Sequence, residues 1–169
     1  MFSTFEDFYQ HLQRRYHLHP KARLLGQSNG GLIVFGWAFR HPEQVDRIAG
    51  TCPALDLRSW PGLDKVVGPE SIGDPTFGFG KMPLEELQKR LPELNPIDNL
   101  KPLADAGVKI FLVHGDEDTT VPLAPNSGEA QRRYRALGGD IEVIPVKGLG
   151  HSPGPGLYDS QKLLDFLMQ

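Results

Sequence analysis

The sequence predicts an α/β fold of three layers, in which a short, mainly parallel sheet of about four strands lies between helices. Apolar segments of strand length alternate with helical segments along most of the chain, and this alternation indicates a parallel sheet that is covered on both faces. One stretch rich in proline and glycine interrupts the alternation and predicts an irregular, cap-like insertion. The 169 residues are enough for a single domain, 1–169, with one core.

The alternation begins with four segments. Aromatic and apolar residues recur at helical spacing over 3–17 and predict a helix with one apolar face. The short apolar segment 22–26 predicts a strand that runs into a glycine-rich turn. A buried helix is then expected over 29–41 and a second strand over 45–51.

The stretch of about 53–104 breaks this pattern. It contains many prolines and glycines, few strand signals and one predicted helix at 83–91. Such a long irregular stretch inside a compact domain is usually functional, so we interpret it as a cap-like insertion.

Regular alternation resumes after the insertion. Residues 108–114 form the clearest strand signal in the chain, and they are followed by a predicted helix over 124–137. A fourth strand is expected over 141–146, where Pro145 indicates an edge or a bulge. A last helix is predicted over 158–168.

Composition argues against several functional classes. The net charge is −3 and no dense cluster of Lys and Arg indicates nucleic-acid binding. No apolar run has the length of a membrane span. Cys52 is the single cysteine, so neither an intrachain disulfide nor a cysteine-based metal site is predicted, and no metal or cofactor is expected. The first residues lack the features of a signal peptide, so the chain as written is expected in the cytoplasm.

A glycine-flanked serine follows the first predicted strand, since Gly26 to Gly31 have the sequence Gly-Gln-Ser-Asn-Gly-Gly. A Gly-x-Ser-x-Gly turn between a strand and a helix holds its serine on a strained elbow, and its glycines are expected where side chains would clash. The pattern predicts Ser28 as a nucleophile and the Asn29 N–H as an oxyanion donor. A glycine-rich turn without chemistry is the alternative, because the pattern alone is a weak signal.

A serine hydroxyl needs a base and an orienting acid before it can attack a carbonyl. The turn after the clearest strand contains three acids, of which Asp118 is the preferred candidate because it precedes a rigidifying Val-Pro pair. Asp116 and Glu117 in the same turn, and Asp56 after the second strand, are rivals. Acids that merely solvate the turn are the other reading.

The candidate base is His151, which follows the last strand in a glycine-containing loop. A lone loop histidine is more often solvated than catalytic, but its place after the final strand favours a role as base. The candidates then occur in the order Ser28, Asp118, His151, which is the chain order of one known class of serine hydrolase. In this mechanism Ser28 attacks the carbonyl and forms an acyl-enzyme, while His151 shuttles the proton.

The three turns together resemble the signature turns of α/β-hydrolases, from about residue 20 to the end of the chain. The doubled glycine after the serine is similar to prolyl-oligopeptidase-like and feruloyl-esterase-like members. The resemblance implies that the Asp before Val-Pro is the acid, which supports Asp118 over Asp116. It also implies that the insertion lies where the family has its cap.

The resemblance also implies a truncated form of that fold. The family has eight strands with the nucleophile after the fifth, whereas Ser28 follows the first recognisable strand. The loop that supplies a second oxyanion donor would then be missing, and the nucleophile strand would have an unpaired edge. Such an edge invites pairing with another chain, so we expect either a piece of a longer enzyme or a minimal hydrolase that forms a homodimer.

Four apolar side chains of the insertion are candidate walls of a substrate pocket: Trp60, Phe77, Phe79 and Met82. Packing of the insertion onto the sheet is the alternative role for each. No basic cluster indicates a phosphate or carboxylate site, so a small apolar or aromatic carboxylic ester is the expected substrate. A peptidase, a lactone hydrolase and a non-catalytic binding or scaffold protein remain alternatives.

Overall fold

The computed structural model describes residues 2–67 and 82–169. The strands are β1 (Ala22–Gln27), β2 (Val45–Thr51), β3 (Lys109–Gly115) and β4 (Ile141–Val146). The α-helices within the described ranges are α1 (Phe2–Tyr16), α2 (Gly30–Ala38), α3 (Leu63–Val67), α4 (Leu84–Leu94), α5 (Lys101–Asp105), α6 (Glu129–Ala136) and α7 (Gln161–Met168). Short 3₁₀ turns occupy Pro42–Gln44 and Pro96–Asp98, and Ala124–Gly128 forms a π-helical turn.

The four strands form one parallel sheet in the order β1-β2-β3-β4. The central strands β2 and β3 are almost entirely buried, as expected for a parallel sheet with both faces covered. Among the described strands β1 and β4 are the edges, and Pro145 lies in β4. The predicted fold class is confirmed.

Helices cover both faces of the sheet. On one face α1, α2 and α6 bury the largest cluster, in which the Trp37 ring lies 5.4 Å from that of Phe5 and 5.5 Å from that of Tyr9. On the other face Phe166 of α7 stacks on Phe111 of β3 at 5.4 Å. Burial of these aromatic rings supplies much of the energy that holds the layers together.

Helix α7 is also held at its carboxyl end by two arginines from the sheet. Arg23 of β1 donates to the Leu167 carbonyl at 2.7 Å, and Arg47 of β2 donates to the Phe166 carbonyl at 2.6 Å. Positive charge at this end of a helix is favourable because the last carbonyls lack helical partners. Among the described residues, no helix is both long and apolar enough to cross a membrane.

The insertion contains more regular structure than predicted. Instead of one helix at 83–91, its described part holds α3, α4 and α5. Two of these helices have five residues, too few to produce a readable 3.6-residue period. The third continues through Pro92 to Leu94, although Pro92 has no N–H to donate to the carbonyl of Gln88.

Three other helix boundaries differ from the prediction. The helix expected over 29–41 ends at Ala38. The helix expected over 124–137 is divided into the π-helical turn and α6, and the last helix begins at Gln161 rather than at residue 158. In the latter case Ser160 has an extended backbone, with ψ of 107°, immediately before α7, so the helix does not include Tyr158 and Asp159.

Candidate active site

Ser28 lies in the tight turn between β1 and α2. Its φ of 51° is in the left-handed region that non-glycine residues rarely adopt. Three backbone hydrogen bonds hold it there: the Ser28 N–H donates to Thr51 at 3.0 Å, and the Ser28 carbonyl accepts from Gly31 at 3.0 Å and Ala54 at 2.9 Å. Backbone strain that the surroundings fix in this way is common at functional sites.

The glycines of this turn differ in how closely other atoms surround the position that a Cβ would occupy. A Cβ on Gly26 would lie 3.1 Å from the Gly30 carbonyl oxygen, and one on Gly31 would lie 2.6 Å from the Ala54 carbonyl oxygen and 2.7 Å from Cβ of Pro53. A Cβ on Gly30 would meet nothing within 4 Å. The expectation that both glycines of Gly-x-Ser-x-Gly avoid clashes is therefore wrong for Gly30, and the second glycine of the doubled pair has the steric role.

The structure brings the three predicted catalytic side chains into one hydrogen-bonded line. Ser28 Oγ lies 2.8 Å from Nε2 of His151, and Nδ1 of His151 lies 2.6 Å from Oδ2 of Asp118. An ionised carboxylate only accepts hydrogen bonds, so Nδ1 carries the ring proton and Nε2 accepts from the serine hydroxyl. This tautomer is the one in which a histidine can remove a proton from serine.

Asp118 follows β3 and its side chain is completely buried. Its Oδ1 accepts from the backbone N–H groups of Thr120 at 2.9 Å and Val121 at 2.8 Å, while Oδ2 accepts from His151. Burial raises the pKa of Asp118, but the hydrogen bonds from His151 and Val121, the electrostatic interaction with His151 and the hydrogen bond from Cys52 together outweigh it. The pKa of Asp118 is lowered overall, and the side chain is ionised at neutral pH.

The rival acids have other partners. Oδ1 of Asp116 accepts from the Gly148 N–H at 2.7 Å, Glu117 is exposed, and Asp56 belongs to an ion-pair network of the insertion. None of the three is hydrogen-bonded to His151 in the described part of the chain. Asp116 instead accepts a hydrogen bond from the loop that contains His151 and so helps to hold this loop in place.

That loop, residues 147–160 and here called the histidine loop, is anchored at its far end. Leu157 is fully buried among the residues that pack under α7, and the Tyr158 hydroxyl donates to the His151 carbonyl at 3.0 Å. A side chain on Gly115 would overlap the Leu149 carbonyl, so the ends of β3 and the histidine loop are in close contact. Tyr158 was not singled out from the sequence, where it carries no motif.

Asn126 is another residue that sequence reasoning missed. Its side chain is fully buried and makes four hydrogen bonds: Oδ1 accepts from Leu55 at 2.8 Å and Asp56 at 3.1 Å, and Nδ2 donates to Ser59 at 2.9 Å and Pro122 at 2.8 Å. The amide therefore ties the start of the insertion to the turn that carries Asp118. No local sequence pattern predicts this role of Asn126, because the segments that it joins are about 70 residues apart.

A buried polar cluster lies beside Asp118. Ligand-type atoms of Cys52, His114 and Asp118 come within 4.8 Å of one another. Both ring nitrogens of His114 are already hydrogen-bonded, to Ser127 and to Val121 at 2.8 Å each. Burial raises the pKa of the Cys52 thiol to about 11, so it is not a thiolate at neutral pH. These features fit a hydrogen-bonded cluster better than a metal site.

Asn29 occupies the position immediately before α2, with helical backbone angles. In the described part of the chain its N–H donates to no other group. The N-terminus of a helix carries partial positive charge, which favours an anion near this N–H. The predicted role of Asn29 as oxyanion donor remains a prediction.

The candidate pocket residues are only partly described. Trp60 and Met82 are half-buried against the apolar cluster that joins the insertion to α2, which includes Leu32 and Leu87. This placement favours packing of the insertion for both. Phe77 and Phe79 lie outside the described residues.

Comparison with known proteins gives a family match over nearly the whole chain. A model of the prolyl oligopeptidase family matches residues 2–169. A comparison with curated protein sequences gives no match.

Similar solved structures include peptidases and an esterase. A puromycin-hydrolyzing peptidase of Mycobacterium tuberculosis has a TM-score of 0.69 and 16% identity, over 95% of this chain and 22% of that chain. The acylaminoacyl peptidase of Pyrococcus horikoshii has a TM-score of 0.68 and 19% identity, over 99% and 26%. The esterase domain of a Rhodothermus marinus protein has a TM-score of 0.60 and 18% identity, over 99% and 64%. The chain thus spans about a quarter of the length of these two peptidases, and the likeness shows a shared fold.

Proposed function

Because the chain belongs to the prolyl oligopeptidase family, a family of serine hydrolases, we propose that it hydrolyses carboxylic esters with Ser28 as nucleophile, His151 as base and Asp118 as the orienting acid. The observation that supports this proposal most strongly is the continuous hydrogen-bonded line of these three side chains, with distances of 2.8 Å and 2.6 Å.

The proposed reaction has two halves. In the first, Ser28 Oγ attacks the ester carbonyl carbon while its proton passes to Nε2 of His151. The tetrahedral intermediate collapses when His151 returns this proton to the departing alcohol, which leaves an acyl group on Ser28. In the second half, His151 takes a proton from water, the water oxygen attacks the acyl carbon, and the carboxylic acid leaves as Ser28 regains its proton.

Two charges that develop during the proposed reaction would have partners in the site. The imidazolium formed on His151 faces the buried Asp118 carboxylate, which the backbone N–H groups of Thr120 and Val121 keep in place. The oxyanion would accept from the Asn29 N–H at the start of α2. One such donor typically contributes about 10²–10³ in kcat.

A peptidase is the second candidate, because the family match and the two peptidase neighbours favour amide cleavage. The esterase domain among the neighbours, and the absence from the sequence of a basic cluster, favour a small uncharged ester. Hydrolysis rates of an ester, an amide and a lactone with matched acyl groups would separate these reactions.

The serine assignment can be tested with Ser28→Ala. We expect this variant to lose hydrolysis of a short-chain nitrophenyl ester and to lose labelling by a fluorophosphonate, since both require the activated hydroxyl. Ser152→Ala is the matched control, because Ser152 is an exposed serine next to His151. A Ser28→Ala protein that still labels, or a Ser152→Ala protein that does not, would refute the assignment.

A further inference from the structure

A second imidazole lies beside the carboxylate that orients His151. Nε2 of His114 is 3.5 Å from Oδ2 of Asp118, the same oxygen that accepts the hydrogen bond from His151. His114 is the next-to-last residue of β3 and its side chain is completely buried. It has no place in the proposed reaction, so its position needs another explanation.

The hydrogen bonds of His114 define its protonation. Nε2 lies 2.8 Å from the Val121 carbonyl, which can only accept, so Nε2 carries a proton. Nδ1 lies 2.8 Å from Oγ of Ser127 and, in a neutral ring, accepts from that hydroxyl. Burial lowers the pKa of His114, in keeping with a neutral ring at pH 7.

Val121 connects the two side chains. Its N–H donates to Oδ1 of Asp118, and its carbonyl accepts from His114. One peptide segment is therefore held from both sides, by the acid itself and by a group on β3. Because the Nε2 hydrogen is directed to the Val121 carbonyl, the 3.5 Å separation between Nε2 of His114 and Oδ2 of Asp118 is an electrostatic contact and not a hydrogen bond.

We propose that His114 is a positioning residue that, with Ser127, holds the turn from Asp118 to Val121 so that the Asp118 carboxylate meets Nδ1 of His151. This proposal rests on the proposed function, because it concerns the orientation of the same acid and base.

Two other titratable side chains near Asp118 are neutral at pH 7. Burial raises the pKa of Cys52, directly after β2, to about 11, and burial also raises the pKa of Tyr158 in the histidine loop. Neither of them therefore adds a charge beside the Asp118 carboxylate.

Two substitutions of His114 distinguish the roles of its two ring nitrogens. The side-chain nitrogen of His114→Gln can occupy the place of Nε2 and donate to Val121, whereas the amide of His114→Asn reaches only the place of Nδ1 and the Ser127 hydroxyl. We expect His114→Asn to lower kcat by about 10- to 100-fold with little change in KM, because a small misplacement of a catalytic group has effects of this size. His114→Gln should retain most of the activity.

A readout that does not need turnover distinguishes this proposal from the proposed function. The Nδ1 proton of His151, shared with Asp118, should give a low-field signal in the proton NMR spectrum of the wild-type chain and of His114→Gln. The signal should be lost or moved upfield in His114→Asn. If no ester or probe reacts with the wild-type chain but the signal behaves in this way, the esterase proposal fails and the positioning role stands.

Ser127→Ala provides a second, smaller change in case His114 variants fold poorly. It removes the partner of Nδ1 and should shift the low-field signal in the same direction as His114→Asn, with a smaller loss of kcat. Thermal unfolding of each variant gives the purely structural contribution. An unchanged low-field signal in both His114→Asn and Ser127→Ala, or equal kcat for His114→Gln and His114→Asn, would overturn the proposal.

Discussion

Asp118 holds the turn after β3 in place and, in the proposed reaction, also orients His151. Its oxygens accept from two backbone N–H groups and one imidazole, so the turn after β3 and the orientation of His151 depend on the same carboxylate. The negative charge is the form that all three donors stabilise. A change in its protonation should therefore alter stability as well as activity.

The lowered pKa of Asp118 predicts a loss of stability in acid. Because the folded chain binds the proton less tightly than the unfolded chain, the carboxylate stabilises the fold above the ordinary pKa of aspartate. This contribution disappears as the pH falls through the lowered pKa. Urea unfolding at a series of pH values should show the free energy of unfolding falling below about pH 4.

Asp118→Asn should flatten this part of the pH dependence, because the amide has no proton to gain. Glu117→Gln is the matched control: the residue is in the same turn but is exposed, and it should leave the curve unchanged. If Asp118→Asn and the wild-type chain lose stability in parallel between pH 5 and pH 2 (about the window in which carboxylates titrate), the proposed contribution of Asp118 is excluded.

At the scale of elements, the site depends on the close approach of α2 to the start of the insertion. The Gly31 backbone lies against Pro53 and Ala54, and the Ala54 N–H holds the Ser28 carbonyl. The serine elbow is therefore supported by a segment that follows β2, and not by the strand and helix alone.

Gly31→Ala and Gly30→Ala should have opposite effects. The first places a Cβ 2.6 Å from the Ala54 carbonyl oxygen and should destabilise the fold by about 1–3 kcal/mol, with reduced reactivity of Ser28. The second adds a Cβ where nothing lies within 4 Å, in the first turn of a helix, and should stabilise by about 0.5–1 kcal/mol. Chemical denaturation measures both, and equal effects of the two substitutions would contradict this account of the elbow.

At the scale of the whole molecule, β1, which directly precedes the proposed nucleophile Ser28, lies at an edge of the described sheet. It pairs with β2 on one side only, and Leu25 within it is 54% exposed. An apolar groove of about 470 Å³ between α1 and β1 adjoins this edge and is lined by Tyr9 and Leu18 among others. An edge of this kind favours pairing with another strand.

We propose that a second copy of the chain pairs with this edge. Light scattering at micromolar concentration should then give a dimer mass, and Leu25→Lys should shift the equilibrium toward monomer by placing a charge in the contact. Leu164→Lys is the control, since Leu164 is similarly exposed but lies on α7. A monomer mass for the wild-type chain would reject the homodimer.

Much of this arrangement could be predicted from the sequence, for identifiable reasons. Strand-length apolar runs and glycine-rich turns are local signals. They were enough to predict the parallel strands and to predict that Ser28, Asp118 and His151 lie together at one edge of the sheet. The three side chains meet as predicted, while their catalytic role stays a prediction. Their order along the chain was informative because parallel strands place successive turns side by side.

What could not be predicted depends on contacts between distant segments. Asn126 is hydrogen-bonded to residues about 70 positions away. Ser127, the hydrogen-bond partner of His114, lies in a π-helical turn within a segment that was predicted as regular helix. The steric difference between Gly30 and Gly31 likewise depends on Pro53 and Ala54, which follow another strand. Such contacts have no periodic or motif signal in a single sequence.

The contact between Ser28 and His151 joins residues 123 positions apart, and that between Arg23 and Leu167 joins residues 144 positions apart. Closing contacts of this range costs loop entropy, so we expect them to be among the last to form. Reactivity of Ser28 should therefore return at the end of refolding, after the helical signal has recovered. Labelling of Ser28 during refolding would then report when β1 and the histidine loop have come together.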